Sequence, residues 1–233
     1  MTMKRIVVLT GAGISAESGL KTFRDAGGLW EGHDVMEVAS PEGFAHNPEL
    51  VLRFYNERRR QLRQVQPNAA HYALVALEER YEVFIVTQNV DDLHERAGSS
   101  NIIHLHGELL KARSVDDESL IVPMLEDIHI GDLGPDGKQL RPQVVWFGED
   151  VPKIVLAAMM FSEADMILVI GTSLVVYPAS GLIDYASPDT PVYVVDPNKP
   201  RMHRSKNVEF ITDTAVQGVP ALVARLIEEA ENE

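Results

Sequence analysis

The chain contains no cysteine. This excludes a disulfide framework, a thiolate nucleophile and any zinc site built on cysteine, and it suits a reducing compartment. No apolar run is long enough to cross a bilayer as a helix. Residues 6–9 form the first apolar run, too short for the core of a signal peptide. A cytoplasmic protein is therefore expected. Basic residues are the minority, 21 Lys and Arg against 35 Asp and Glu, which gives a net charge of −14. Nucleic-acid phosphates would be repelled by such a surface, so neither a nucleic acid nor a membrane is an expected partner, whereas lysine-rich protein segments are compatible. Internal repeats and low-complexity segments are absent too.

What is present fits an ordinary globular chain: 233 residues, 45% hydrophobic and 24% charged, enough for one large domain or one domain with a smaller insertion. Short β-branched runs at residues 6–9, 83–86, 102–104, 144–147, 166–170 and 192–195 are nearly continuous in apolar character, as strands buried on both faces should be. Helical periodicity falls between them, at 68–80 and 215–229. Strand–helix alternation predicts an α/β fold with a Rossmann-type parallel sheet. Two stretches break the alternation. Residues 31–66 read as helical, with Pro48 early in a helix over 49–64. Residues 108–142 are polar and rich in turn signals. These two insertions are expected to form a small second domain beside a main domain made of 1–30, 67–107 and 143–233.

Four motifs carry chemistry. Gly11, Gly13 and Ala16 follow the first strand with the spacing of a dinucleotide fingerprint, in which glycines allow close approach to a pyrophosphate and a helix N-terminus offers free N–H groups. A tight turn without ligand is the alternative. The fingerprint's usual companion, a second strand ending in an acid, does not follow, which counts against plain hydride transfer. Gln88, Asn89, Asp91 and Asp92 end the strand at 83–86, where they could hold ribose hydroxyls or a carboxamide, or cap the next helix. His104 and His106 could ligate a metal with Glu108, act as a general base, or be ordinary hydrogen-bonded histidines. Gly171, Thr172 and Ser173 end another strand and suit a phosphate or ribose, or simply a turn. Asp196 could accept from a ribose hydroxyl or start a turn at Pro197.

Taken together, residues 11–15, Phe23-Arg24, 87–91, His106-Gly107, 144–149 and 171–173 occur in the order seen in the sirtuin family. The resemblance spans nearly the whole chain and is weakest across 111–141 and beyond 196. It implies an NAD-dependent protein-lysine deacylase acting on acyl-lysine proteins or peptides, with NAD consumed as co-substrate. Its products would be nicotinamide, free lysine and O-acyl-ADP-ribose. By motif, Gly11, Ala12, Gly13, Ser15, Phe23, Arg24, Gln88, Asn89, Asp91, Gly171, Thr172 and Ser173 would line the NAD site. Asp196 stands where the family usually has Asn, and Val216 resembles its adenine contact. His106 would be the general base, with Asn89 beside it, and Val145, Phe147 and Gly148 would pair with an extended peptide. A sirtuin-like ADP-ribosyltransferase or NAD hydrolase would use the same pocket.

Tyr55 and Arg58, three apart on one helix face, resemble the Tyr-x-x-Arg of the family subset that removes succinyl and malonyl groups, and Ala26 resembles the small residue there that leaves room for a longer acyl group. Tyr55 as a core residue and Arg58 as a solvated arginine are the alternatives. The family's four zinc cysteines are missing, so no metal is expected, and the apolar residues of 120–133 are expected to pack inward in their place.

Overall fold

The computed structural model describes residues 3–21, 29–30, 32–200, 202 and 206–232, with the side chain of Leu29 excepted. Phe23, Arg24 and Ala26, expected at the NAD and acyl sites, lie outside the described residues.

The chain runs through β1 (Arg5–Thr10), the short pair β2 (Leu29–Trp30) and β3 (His33–Asp34), then α1 (Val35–Val38), α2 (Pro41–His46), α3 (Pro48–Leu62) and α4 (Ala69–Leu77). It continues through β4 (Glu82–Thr87), α5 (Leu93–Ala97), β5 (Ile102–His104), β6 (Gly107–Ser114), β7 (Ile121–Pro123) and β8 (Leu140–Val144). The last part comprises α6 (Ile154–Ser162), β9 (Met166–Ile170), β10 (Val192–Val195), β11 (Val208–Ile211) and α7 (Ala215–Asn232).

Six strands form a parallel sheet in the order β11-β10-β9-β1-β4-β5. Its strands are apolar on both faces because both faces are covered. Ile6, Val8, Ile85 and Ile170 pack with α4 and α7 on one side, and Val7, Leu9, Val86 and Val169 pack with α6 and Leu182 on the other. From β1 the chain builds outward through β4 and β5, then returns to the other side of β1 with β9. The direction of winding therefore reverses between β1 and β9, and in open α/β sheets ligands bind outside the carboxyl ends of strands at such a point.

A second, three-stranded antiparallel sheet has the order β7-β6-β8. It packs on α3 through Leu52, Ala112, Ile128 and Leu140. Local chemistry sets α3: Asn47 caps it by accepting from the Leu50 N–H at 3.1 Å, and Pro48 takes the first position, where its missing N–H costs nothing. Asn68 and His71 form a reciprocal capping box at the start of α4.

Several expectations change. Residues 31–66 are not wholly helical, because Trp30 pairs with His33 in the β2–β3 ladder. The polar stretch 108–142 holds most of the antiparallel sheet. The strand expected at 144–147 is the last residue of β8 followed by a loop; the run is apolar because Trp146 is buried against Tyr55 and Phe44, not because it continues a strand. Finally, 120–133 does not pack inward as a whole. Ile128 is fully buried, but Leu125 is 56% exposed and Leu133 58%.

Candidate functional site

A cavity of about 320 Å³ opens at the carboxyl ends of β1, β4 and β9, between the parallel sheet and α3. Gly11, Ala12, Gly13, Ser15, Gln88, Asn89, Asp91, Gly171, Thr172 and Ser173 line one part of it. Tyr55, Arg58, Val145, Phe147 and Gly148 line another, with His106. Most of the residues that the sequence singled out, drawn from six separate segments, therefore share one cavity.

The glycine segment works differently from the expected fingerprint. Two 3-10 turns, Ala12–Ile14 and Ala16–Ser18, follow β1 in place of an α-helix. Several of their N–H groups are engaged internally: Gly13 N–H donates to Gly171 C=O at 2.8 Å, Ile14 to Gly11, Ser15 to Ala12 and Ser18 to Ser15. The glycines instead allow two strand ends to meet. A Cβ on Gly13 would lie 2.6 Å from Gly171 Cα, and one on Gly171 would lie 2.4 Å from Ile14 N.

Beside this junction is a buried polar cluster. Asp91 accepts from Ser15 Oγ at 2.9 Å and from the Leu93 N–H at 3.2 Å. Asn89 Nδ2 donates to the Gly11 C=O at 3.2 Å and to Ser15 Oγ at 3.3 Å. Gln88 Nε2 donates to Thr172 Oγ1 at 3.0 Å, tying the ends of β4 and β9 together. Burial pushes the Asp91 carboxyl up to about 6, against the two hydrogen bonds that favour its charge. Amide, hydroxyl and carboxylate groups concentrated at the winding reversal fit the hydroxyls and carboxamide of a dinucleotide.

The two histidines part company. His104, at the end of β5, places Nδ1 3.0 Å from the Asn89 carbonyl and Nε2 2.6 Å from Glu95 Oε1. Both partners are acceptors, so both ring nitrogens carry protons. Burial pulls its pKa down, but the Glu95 carboxylate and the Asn89 carbonyl outweigh burial and raise it. His106 faces the cavity, and its Nδ1 lies 3.1 Å from the Gln88 carbonyl. A carbonyl can only accept, so Nδ1 carries the proton and Nε2 is left as the basic nitrogen. Burial holds the His106 pKa below its ordinary value. Among the described residues no three His, Asp or Glu side chains come together as ligands.

Tyr55 is fully buried in the core and also lines the cavity. Its hydroxyl accepts from Trp146 Nε1 at 3.0 Å, and burial keeps it neutral by raising its pKa. Arg58 is not a solvated arginine. Its guanidinium lies 3.3 Å over the Phe54 ring and donates to the Phe54 C=O. The buried arginine of α3 is Arg59, whose Nε donates to Leu109 C=O and whose Nη1 donates to Asn56.

Two expected residues lie outside this cavity's lining. Asp196 turns its side chain to the Asn198 N–H at 2.8 Å, the turn-starting role, and Val216 bonds through its N–H to Glu17. Conversely, Lys21, Trp30, Gln61, Trp146, Glu149 and Tyr177 line the cavity without having been singled out for it. Gln61 carries a readable signal, three residues beyond Arg58 on the same helix face.

The Sir2 family model matches residues 11–178. An NAD-dependent protein deacylase of Helicobacter pylori is 55% identical over 231 residues, 99% of each chain. A solved Sir2 homologue in complex with NAD is 37% identical, with a TM-score of 0.86, covering 98% of this chain and 91% of that one. A solved Sir2 variant with a deacetylated p53 peptide and 3′-O-acetyl ADP ribose is 31% identical, with a TM-score of 0.81, covering 97% and 94%. This chain belongs to the Sir2 family.

Proposed function

We propose that the protein is an NAD-dependent protein-lysine deacylase that removes succinyl and malonyl groups, and acetyl groups as well. The observation that carries this reading is His106. A histidine with Nδ1 held by a carbonyl and Nε2 basic lines the same cavity as the Ser15–Asn89–Asp91 cluster and the Tyr55–Arg58 pair. In this reading NAD, as co-substrate, supplies the activated ribose carbon and the hydroxyls that receive the acyl group. Gln88, Asn89, Asp91 and Ser15 orient the ribose and carboxamide, and Gly171, Thr172 and Ser173 flank the phosphates. His106 Nε2 takes the proton from a ribose hydroxyl, and the lowered pKa keeps it unprotonated at neutral pH. Water then completes the transfer, freeing the lysine amine and leaving the acyl group on the ribose.

Residues 1–30, 67–107 and 143–233 would form the NAD-binding domain and 31–66 with 108–142 the small domain. The division is supported by the parallel sheet lying in the first set and by the packing of α3 on β6 and β8. A cytoplasmic location belongs to the same reading. It is supported by the cysteine-free composition, and among the described residues no helix is long and apolar enough to cross a membrane.

The acyl preference rests on Arg58, a cation held at the cavity wall, with Tyr55 beside it as a neutral hydroxyl. A charge-assisted contact to an acyl carboxylate is worth about 1.5–3 kcal/mol, or about one to two decades in specificity. The test compares kcat/KM for succinyl-lysine and acetyl-lysine peptides in wild type and Arg58→Met. Selective loss on the succinyl peptide supports the reading. Equal loss on both would make Arg58 a structural residue.

A further inference from the structure

We infer that Glu149 is a positioning residue for substrate peptide, and that it couples the cysteine-free antiparallel sheet to the loop 145–148. The inference rests on the proposed role of Val145, Phe147 and Gly148 in pairing with an extended peptide.

One carboxylate collects four donors. Glu149 Oε1 accepts from Arg141 Nη1 at 2.6 Å and Arg113 Nη2 at 2.9 Å. Oε2 accepts from Arg141 Nη2 at 3.1 Å and from the Trp146 N–H at 2.8 Å. Arg141 thus grips it bidentately, the geometry that fixes direction as well as distance. All three side chains are largely shielded from solvent. Burial opposes the charge on Glu149, but the hydrogen bonds from Arg141 and the Trp146 N–H, with the charges of both arginines, outweigh it and hold the carboxyl below the usual carboxylate range, so the cluster stays charged.

The arginines come from the antiparallel sheet, Arg113 on β6 and Arg141 on β8. Arg141 also lies 3.3 Å over the Trp146 ring and donates to Val144 C=O. The acid therefore draws the start of the loop onto the sheet through the Trp146 N–H. Further anchors tie the loop to His106 and to the helical segment 35–62. Val145 N–H donates to the His106 C=O at 2.9 Å, Phe147 N–H donates to the Ala39 C=O at 2.9 Å, and Trp146 Nε1 donates to Tyr55. Each anchor fixes one residue of the loop, and Glu149 fixes the residue between the two that would face the peptide. Glu149 acts on the peptide through the Trp146 backbone; none of its donors belongs to the polar cluster around Asp91.

The test uses the full chain and two acyl-lysine substrates, one a long peptide and the other a single residue blocked at both ends. Only the peptide can pair along the loop. For Glu149→Gln, which keeps the shape and removes the charge, the kcat/KM advantage of peptide over blocked residue should shrink about tenfold or more, the scale of one lost charge-assisted hydrogen bond. The KM for NAD should move far less. If Glu149→Gln does not fold, Arg113→Gln, which leaves Arg141 on the Trp146 ring and on Val144, should shrink the advantage in the same direction by a smaller factor. An undiminished peptide advantage would overturn the inference, as would equal losses in the peptide and NAD parameters. If wild type shows no peptide advantage, the peptide-pairing role of the loop fails first and the inference falls with it.

Discussion

Replacing Asn56 tests how the small sheet is held in a chain that has no cysteine. In the sirtuin family four zinc cysteines do this; here the loop after β7 has no such staple. Surface pairs tie it to α3: Arg60 to Asp127 at 2.5 Å and Arg63 to Glu126 at 3.3 Å. Exposed pairs of this kind contribute about 0–1 kcal/mol each. Asn56 is different. Its Nδ2 donates to Ile128 C=O at 2.8 Å, and its Oδ1 accepts from the Ile128 N–H at 2.9 Å and from Arg59 Nη1 at 2.7 Å. Ile128 is fully buried, so the side chain stands in for a neighbouring strand and satisfies both of its backbone groups.

Asn56→Ala would leave one donor and one acceptor buried and unpaired, at about 1–3 kcal/mol each, and would remove a buried guanidinium's acceptor. With partial relaxation of the loop, we expect a loss of about 3 kcal/mol. For a chain this size that lowers Tm by about 6–12 °C. Asn56→Asp keeps the acceptor and sets a charge beside Arg59, but it turns an oxygen in place of a donor toward the Ile128 C=O, so it too should melt below wild type. Calorimetric unfolding reads both. If Asn56→Ala melts within about 2 °C of wild type, the clamp does not hold the sheet and the reasoning is refuted.

Three further outcomes are expected. His106→Ala should lose about 10²–10⁴-fold in turnover while still binding NAD, measured by deacylation rate and calorimetric titration; near wild-type turnover would remove the base. The Asp91 carboxyl is raised from 3.8 to about 6 by burial, so the stability it contributes is complete below pH 3.8 and is lost as pH rises through about 6. That rise corresponds to about 3 kcal/mol, so Asp91→Asn should be the more stable protein at pH 7 and should flatten the pH 4–6 slope in urea melts. A strong chelator should change neither Tm nor activity, since thiolate ligands are absent from the sequence; a clear drop in Tm would reveal a structural metal.

The sequence made the parallel sheet legible where burial on both faces leaves unbroken β-branched runs. Ile102–His104, Met166–Ile170 and Val192–Val195 match their expected bounds. It concealed β11, an edge strand whose exposed Glu209 interrupts the run, and β6, whose Glu108, Lys111 and Arg113 make a strand read as a polar insertion. The site residues at strand ends were legible because chain topology gathers them. The Glu149 cluster was not, because Arg113 lies 36 residues away and only the folded antiparallel sheet brings it near. Likewise Arg59 and Arg58 are neighbours in sequence, and only packing decides that the first is buried and the second lines the cavity.

The most direct test of deacylation is a product balance. The protein is incubated with NAD and a succinyl-lysine peptide, and all products are quantified by mass spectrometry. We expect nicotinamide, free-lysine peptide and O-succinyl-ADP-ribose in equal amounts, none forming without peptide. ADP-ribose attached to protein, or nicotinamide released with the peptide still acylated, would contradict it and make the cavity that of a transferase or an NAD hydrolase.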